Sequence, residues 1–290
     1  MSKSTLGKAA LLFIALIWGT SFVIMKNVLD GVPVLWLLSF RFILSSLILL
    51  AVSARKIRSV SRECLKGSVI LGLLLGSAYI VQTFGLYYTT PGKNAFLTCT
   101  YCVLTPFASW ILYKTRPSLK NLLAAAICLA GIGCVSLDAG FDNINIGDVL
   151  TLACGILYAM QIAVMAKYVS TGDPILISGI EFGTAGLLCL VLALLFQKPP
   201  EAIPAGSLFS LLYLAVVCTC LCFLLQTWGM KYTPPATAGI LMSLESVFGV
   251  IISVIFYHEV LTPVLLLGFA LIFFAVVYNE LPEKKRTEIG

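Results

Sequence analysis

Residues 82–91 read QTFGLYYTTP, and residues 226–235 read QTWGMKYTPP. Six of the ten positions match, at an offset of 144 in a chain of 290 residues. An internal repeat of this length indicates that the chain consists of two related halves. We place them at residues 1–140 and 141–290.

The composition excludes an ordinary water-soluble protein. Hydrophobic residues make up 60% of the chain and charged residues only 11%, and the mean hydropathy is +1.02. Soluble domains carry about 25% charged residues. The apolar runs are long enough to cross the hydrocarbon core of a bilayer as helices, and they lack the alternation of barrel strands. The sequence therefore predicts an all-α integral membrane protein.

Ten apolar runs are separated by turn residues such as Asp30-Gly31-Val32-Pro33 and Gly172-Asp173-Pro174. We expect boundaries accurate to about three residues, and helix-opening prolines at Pro33 and Pro174. The ten predicted transmembrane helices are 8–28, 33–53, 67–88, 94–113, 120–138, 148–168, 174–196, 207–230, 236–257 and 261–279.

Basic residues predict the orientation of these helices. Most lie before the first helix or in connections on the same side: Lys3, Lys8, Arg55, Lys56, Arg58, Arg62, Lys66, Lys114, Arg116, Lys120, Lys167, Lys231, Lys284, Lys285 and Arg286. The opposite side has an acidic loop with Asp138, Asp142 and Asp148. By the positive-inside rule both termini are cytoplasmic and the protein lies in the cytoplasmic membrane. Topology thus explains the formal charge of +6, and no nucleic-acid partner is expected.

Five helices per half is an odd number, so the second half enters the membrane from the opposite face. The pattern predicts two inverted five-helix repeats, an arrangement typical of transporters with alternating access. Plain duplication of a stable bundle is the structural alternative.

Several polar and aromatic side chains are predicted to lie near the middle of the membrane. Tyr101 follows Pro91 by ten residues and Glu245 follows Pro235 by ten, which places both at a depth of about 15 Å. Residues at this depth, and residues that share a helix face with them by spacing, form the predicted substrate-binding group. Its members are Trp18, Ser21, Gln82, Thr98, Tyr101, Tyr158, Gln161, Gln226 and Glu245. Facing lipid, the polar members would lack water, so they are expected to line a cavity. Hydrogen bonding between helices is the alternative for each one.

Three charged residues fall well inside predicted helices, away from the helix ends. Glu245 suits contact with a substrate amine, proton coupling, or a structural bond to a neighbouring helix. Arg41 and Glu181 lie at nearly equivalent positions in the two halves. They are candidates for gating or coupling, with snorkelling or local helix pairing as alternatives.

The sequence also lacks motifs that other functions require. It contains neither a G-x-x-x-x-G-K-[ST] loop nor an H-E-x-x-H or G-x-S-x-G motif. We therefore expect no ATP-driven pumping, no enzymatic activity, no metal and no cofactor. His258 and Glu259 lack a second histidine for a metal site.

A family resemblance rests on motifs in both halves. The first half contains Trp18-Gly19-Thr20-Ser21-Phe22, Pro33 with Arg41, Asn94-Ala95-Phe96-Leu97-Thr98 and Leu104-Thr105-Pro106. The second contains Leu244-Glu245-Ser246-Val247-Phe248 and His258-Glu259-Val260-Leu261-Thr262. The chain resembles the drug/metabolite transporter (DMT) superfamily, EamA type, over nearly its whole length. Family members often have proline at the position of Ser246, glycine at His258, and Gly-Glu at Lys114-Thr115.

The resemblance implies a ten-helix secondary transporter, often an exporter of amino acids or other small metabolites. Its partners would be a small-molecule substrate, the lipid bilayer and an optional coupling proton, with the chain acting as a monomer or homodimer. Nucleobases, vitamins or cationic drugs are alternative substrates. A polytopic membrane enzyme and a sensor are the alternatives of another class.

Overall fold

The computed structural model describes residues 2–57, 60–136, 145–168 and 172–281, and every regular element in these ranges is a helix. Ten helices are long and apolar enough to span a membrane, which confirms the predicted all-α integral membrane fold. Spans 1 to 10 are Lys3–Val28, Val34–Val52, Arg62–Tyr88, Pro91–Tyr113, Leu119–Ser136, Ile146–Tyr168, Pro174–Phe196, Ala205–Lys231, Pro235–Phe256 and Pro263–Glu280. A short helix, Ala54–Ile57, lies between spans 2 and 3.

The outer surface of the bundle is apolar. Leu194, Phe196 and Phe209 are among many large apolar side chains that are more than half exposed. An apolar surface of this extent is unfavourable in water and suits contact with lipid tails.

Two helix starts differ from the sequence prediction. Spans 1 and 3 begin five residues earlier than predicted, at Lys3 and Arg62. The reason is capping: the side chain of Ser2 accepts a hydrogen bond from the backbone of Thr5, and Ser61 does the same for Cys64. Serine caps extend a helix into its polar flank, which hydropathy does not detect.

The prolines at helix starts behave nearly as expected. Pro174 is the first residue of span 7, after the capping residue Asp173. Pro33 is the cap of span 2, whose first helical residue is Val34. At both positions the fixed φ angle of proline fits the start of a helix. Its missing backbone N–H would have had no partner within the helix.

Two spans are irregular. Span 4 is interrupted at Thr100, between Pro91–Cys99 and Tyr101–Tyr113. Span 8 contains a π-helix at Tyr213–Leu221. A π-helical turn widens the backbone and changes which side chains and carbonyls face the bundle.

The spans pack in specific pairs. Span 1 packs against spans 8 and 9, span 6 against spans 3 and 4, span 2 against spans 7 and 8, span 3 against span 7, and span 5 against span 10. The contact of spans 1 and 9 needs a glycine, because a Cβ on Gly19 would lie 2.7 Å from the Cβ of Phe248. Small residues permit such close approach in membranes.

Some sequence predictions lie outside the described residues. These are the boundary between the two halves at 140/141, the acidic loop residues Asp138 and Asp142, and the basic residues Arg58, Lys284, Lys285 and Arg286. The inverted relation of the halves stays a prediction at this point.

Candidate functional site

A cavity of about 680 Å³ lies among the spans. All nine residues that the sequence places in the substrate-binding group line it: Trp18, Ser21, Gln82, Thr98, Tyr101, Tyr158, Gln161, Gln226 and Glu245. Arg41 also lines this cavity, whereas Glu181 does not. The volume suits a small organic molecule. Substrate binding by these residues stays a prediction.

The cavity extends toward one side of the bundle. We call this the basic side: the odd-numbered spans begin there, and Lys114 and Arg116 lie in one of its loops. The lining residues near span ends on this side are Asn121, Pro174, Ser178, Thr227, Met230, Gly239, Asn279 and Glu280. Toward the other side, which we call the opposite side, the lining stops within the spans at Met25, Arg41 and Thr98.

On the opposite side, Lys26 joins the ends of spans 1 and 3. Its ammonium donates hydrogen bonds to the backbone carbonyls of Leu86, Tyr87 and Thr89 at 2.7, 2.8 and 2.9 Å. A cation at a helix C-terminus satisfies carbonyls that have no partner in the helix. The end of span 3 is therefore held against span 1.

Glu259 makes a second connection on the opposite side, between the end of span 9 and the start of span 4. Its carboxylate accepts hydrogen bonds from the Gly92 backbone N–H at 3.0 Å, from the Ser253 hydroxyl at 2.5 Å and from the Thr90 hydroxyl. A carboxylate at a helix N-terminus satisfies free N–H groups and interacts favourably with the helix dipole. We call this arrangement the Glu259 clamp.

Gln82 links three spans at the inner end of the cavity. Its side-chain N–H donates to the Thr98 hydroxyl at 3.0 Å, and its carbonyl accepts from the Tyr158 hydroxyl at 2.9 Å. These bonds orient Tyr158. Gln226 is freer, since its amide nitrogen lies 3.5 Å from the sulfur of Met242.

Arg41 is held at the inner end of the cavity. Its Nε donates to the Thr219 hydroxyl at 2.9 Å and its Nη1 to the sulfur of Met25 at 3.4 Å. The guanidinium lies 5.0 Å from the ring centre of Tyr79, a favourable cation–π distance. Thr219 belongs to the π-helix of span 8 and donates its own proton to the carbonyl of Leu214 at 2.8 Å.

Glu245 and Glu181, two carboxylates far from the ends of their spans, have different environments. Glu245 is half-buried, lines the cavity and has no hydrogen bond or ion pair with any residue in the described part of the chain. Glu181 is fully buried. One of its oxygens accepts from the side-chain amide of Gln161 at 2.7 Å, and its other oxygen has no partner among the described residues.

Sequence reasoning missed several lining residues of the cavity, among them the aromatic residues Tyr79 and Phe223. Tyr79 packs on Tyr158 with ring centres 5.5 Å apart, and Phe223 packs on Trp18 at 5.8 Å. The signal was available: each lies three residues before a matching glutamine, so it shares a helix face with Gln82 or Gln226.

The described residues contain no group of three or more metal-ligating side chains close enough to hold a metal ion. All ten cysteines are free thiols. The polar groups of the site are hydroxyls, amides, one arginine and carboxylates, which suit recognition of a polar organic molecule.

Comparison with known proteins agrees with this description. The model of the EamA-like transporter family matches residues 5–137 and again residues 145–279. A transporter of unassigned function from Archaeoglobus fulgidus is 31% identical over 93% of this chain and 84% of its own length. Transporter YoaV of Bacillus subtilis is 22% identical over 99% of both chains, and protein PecM of Dickeya dadantii is 24% identical over 72% of this chain and 71% of its own.

A solved crystal structure shares the fold. Its TM-score is 0.66 at 18% sequence identity, over 96% of this chain and 97% of that chain. Ten spans around a cavity with polar and aromatic lining residues, together with these relatives, define the protein as a multi-span membrane transporter. The chain belongs to the EamA-like transporter family.

Proposed function

We propose that the protein is a secondary transporter that exports a small polar or zwitterionic metabolite, such as an amino acid. The observation that carries this proposal is the cavity itself. It combines a 680 Å³ volume, aromatic walls and opposite charges, and it extends to one side only. A transporter in one of its two access states has such a cavity.

Alternating access is the proposed mechanism. Helix packing supports it, because exchanging spans 1–5 with spans 6–10 converts each main helix pair into another observed pair or into itself. The contact of spans 1 and 9 becomes that of 6 and 4, and the contact of 3 and 6 becomes that of 8 and 1. The two separate family matches also support two inverted repeats, 1–140 and 141–290. Rocking of these repeats would close the basic side and open the opposite side.

The proposed substrate contacts divide by chemistry. Trp18, Tyr101 and Tyr158 suit an apolar or planar part of the substrate, while Gln226 and Glu245 suit its polar part. Glu245 has no protein partner among the described residues, so it is available to a substrate amine or to a coupling proton. With basic loops facing the cytoplasm, the cavity of this state is open to the cytoplasm of the producing cell, as an exporter requires for loading.

Flux into liposomes tests this function. Purified protein is reconstituted, and uptake of radiolabelled amino acids, nucleobases, vitamins and organic cations is measured with and without a pH gradient. We expect saturable flux of amino acids that Glu245→Gln abolishes. Glu63→Gln is the matched control, because Glu63 is exposed at the start of span 3.

The pH gradient separates two roles of Glu245. Flux that rises with the gradient in the wild type and is insensitive to it in a residually active Glu245→Gln variant supports proton coupling. Gradient-independent flux supports amine binding alone. Folded protein that moves no compound of the panel would contradict the proposed function.

A further inference from the structure

We infer that Arg41 binds the carboxylate of the substrate, and that Arg41 and Glu245 together select molecules that carry both a carboxylate and an amine. This inference rests on the proposed function and deepens it, because it assigns the two charges of a zwitterion to two residues. From the sequence alone, Arg41 is a candidate for gating or coupling, with snorkelling or local helix pairing as alternatives.

Arg41 has N–H donors without a hydrogen-bond partner among the described residues. A guanidinium has five N–H donors, and two of them have partners, at Thr219 and Met25. The described residues supply no carboxylate within 4.0 Å of Arg41. Arg41 as a whole residue is 2% exposed and still lines the cavity. A buried arginine without a carboxylate partner is costly unless a ligand supplies one.

Thr219 and Tyr79 hold the guanidinium of Arg41 in one orientation. The Thr219 hydroxyl donates to the Leu214 carbonyl, five residues back in the π-helix, so its lone pairs remain for the Nε of Arg41. Tyr79 covers one face of the guanidinium. Nε and one N–H of Nη1 are thus occupied, and the three remaining terminal N–H groups have no hydrogen-bond partner among the described residues. A guanidinium held in this way can bind a carboxylate with two parallel hydrogen bonds.

Glu245 supplies the negative charge of the proposed pair. It lines the same cavity as Arg41 and lies close enough for the two charges to interact. The two groups are nevertheless more than 4.0 Å apart, since no ion pair joins them. Opposite charges in contact form an ion pair, whereas these two line the same cavity without such contact. A zwitterion fills this gap and compensates both charges.

Selectivity follows from the same geometry. A molecule with only an amine leaves Arg41 uncompensated, and one with only a carboxylate leaves Glu245 uncompensated. Leaving a buried polar group unpaired costs more than a missing apolar contact, so sites of this kind discriminate strongly. A charge-assisted hydrogen bond corresponds to roughly 10- to 100-fold in affinity. The gating role is less well supported, because Arg41 has no acidic gate partner in the described part of the chain.

Binding to the purified protein tests the inference separately from transport. Affinities of the twenty amino acids are measured by calorimetry at neutral pH. The tightest binder is then compared with its amide, which lacks the carboxylate, and with its deamino acid, which lacks the amine. The variants are Arg41→Gln, Arg41→Lys, Thr219→Val and Glu245→Gln, with Glu63→Gln as control.

We expect the wild type to bind the amino acid at least about 10-fold more tightly than either analogue. Arg41→Gln should remove the preference over the amide and retain the preference over the deamino acid, whereas Glu245→Gln should do the converse. Arg41→Lys should keep part of the preference. Thr219→Val leaves the arginine charge in place and should reduce the preference for the amino acid over its amide. This variant tests the inference if Arg41→Gln does not fold.

Two results would overturn the inference. One is a preference over the amide that persists in both Arg41→Gln and Thr219→Val. The other is folded wild-type protein that binds no amino acid; flux of another compound class would then leave the transport function standing. If Arg41→Gln and Glu245→Gln each lose the expected preference in binding but no flux is detected, the assignment of Arg41 is supported and the transport function is contradicted.

Discussion

Gln82 and Gln226 occupy matching positions in the two repeated sequence stretches, but their amide groups have different surroundings. The amide of Gln82 is bonded at both ends, to Thr98 and Tyr158, on the closed side of the cavity. Among the described residues the amide of Gln226 has one hydrogen-bond partner, the sulfur of Met242, in the part of the cavity that continues to the basic side. The same residue type therefore has a structural position in one half and an open position in the other.

This difference predicts different effects of alanine at the two positions. Gln82→Ala leaves two hydroxyls without their partner and should lower stability by about 1–3 kcal/mol as well as reduce flux. Gln226→Ala should raise the KM of transport with a much smaller loss of stability. Apparent melting temperature and initial flux rates check both. Equal destabilisation by the two substitutions would contradict this assignment.

The Glu259 clamp should stabilise the closed opposite side. Glu259→Ala leaves the N–H of Gly92 and the hydroxyls of Thr90 and Ser253 without an acceptor, so we expect a loss of about 2–4 kcal/mol and a larger population open to the opposite side. Thermal unfolding and hydrogen exchange at residues 90–94 measure these effects. Glu201→Ala, at an exposed loop position, is the control and should change neither.

Lys114 and His258 are the only non-glycine residues with positive φ in the described ranges, at 61° and 55°. They lie 144 positions apart, the offset of the repeat, and each ends a long helix. Left-handed backbone costs a non-glycine residue about 1 kcal/mol, so Lys114→Gly and His258→Gly should each raise the melting temperature. Lys66→Gly, inside span 3, should lower it by a similar free energy. Lower stability of both end variants would refute the explanation.

Cys102 reports on which side the cavity is open. It is half-buried and lines the cavity, whereas eight of the ten cysteines are buried. A small membrane-impermeant methanethiosulfonate should therefore modify Cys102 from the basic side, and bound substrate should slow the reaction. Mass spectrometry of oriented vesicles, with Cys102→Ala as control, measures this. Equal labelling from the opposite side would contradict the closed opposite side.

Asp173 predicts a pH effect outside the membrane. Burial raises the pKa of its carboxyl, but the hydrogen bond from Lys56 and those from the backbone of Ile175 and Leu176 outweigh burial and lower it below its ordinary value. A carboxyl whose pKa is lower in the folded state stabilises the fold at pH values above its unfolded-state pKa. This stabilisation is lost as the pH falls through the folded-state pKa. Asp173→Ala should cost about 1 kcal/mol at pH 7, and thermal unfolding at decreasing pH should show this cost shrinking as the pH falls through the folded-state pKa.

Local sequence properties determined the fold class and most of the cavity lining. Span number and length follow from hydropathy, because a membrane helix needs only a sufficiently long apolar run. The face of each helix follows from spacing, which is why Trp18, Gln82 and Glu245 were predicted to share a cavity. Spans 1 and 3 began earlier than hydropathy indicated because Ser2 and Ser61 cap them.

Only the tertiary structure decided which side of the cavity is open and which side chains are engaged. The Glu259 clamp joins residues 167 and 169 positions apart. The bond of Arg41 to Thr219 involves a π-helix that no sequence pattern indicated. Two related halves predict equal roles for Gln82 and Gln226. The structure makes them unequal, because the cavity ends near Gln82 on one side and continues past Gln226 toward the other.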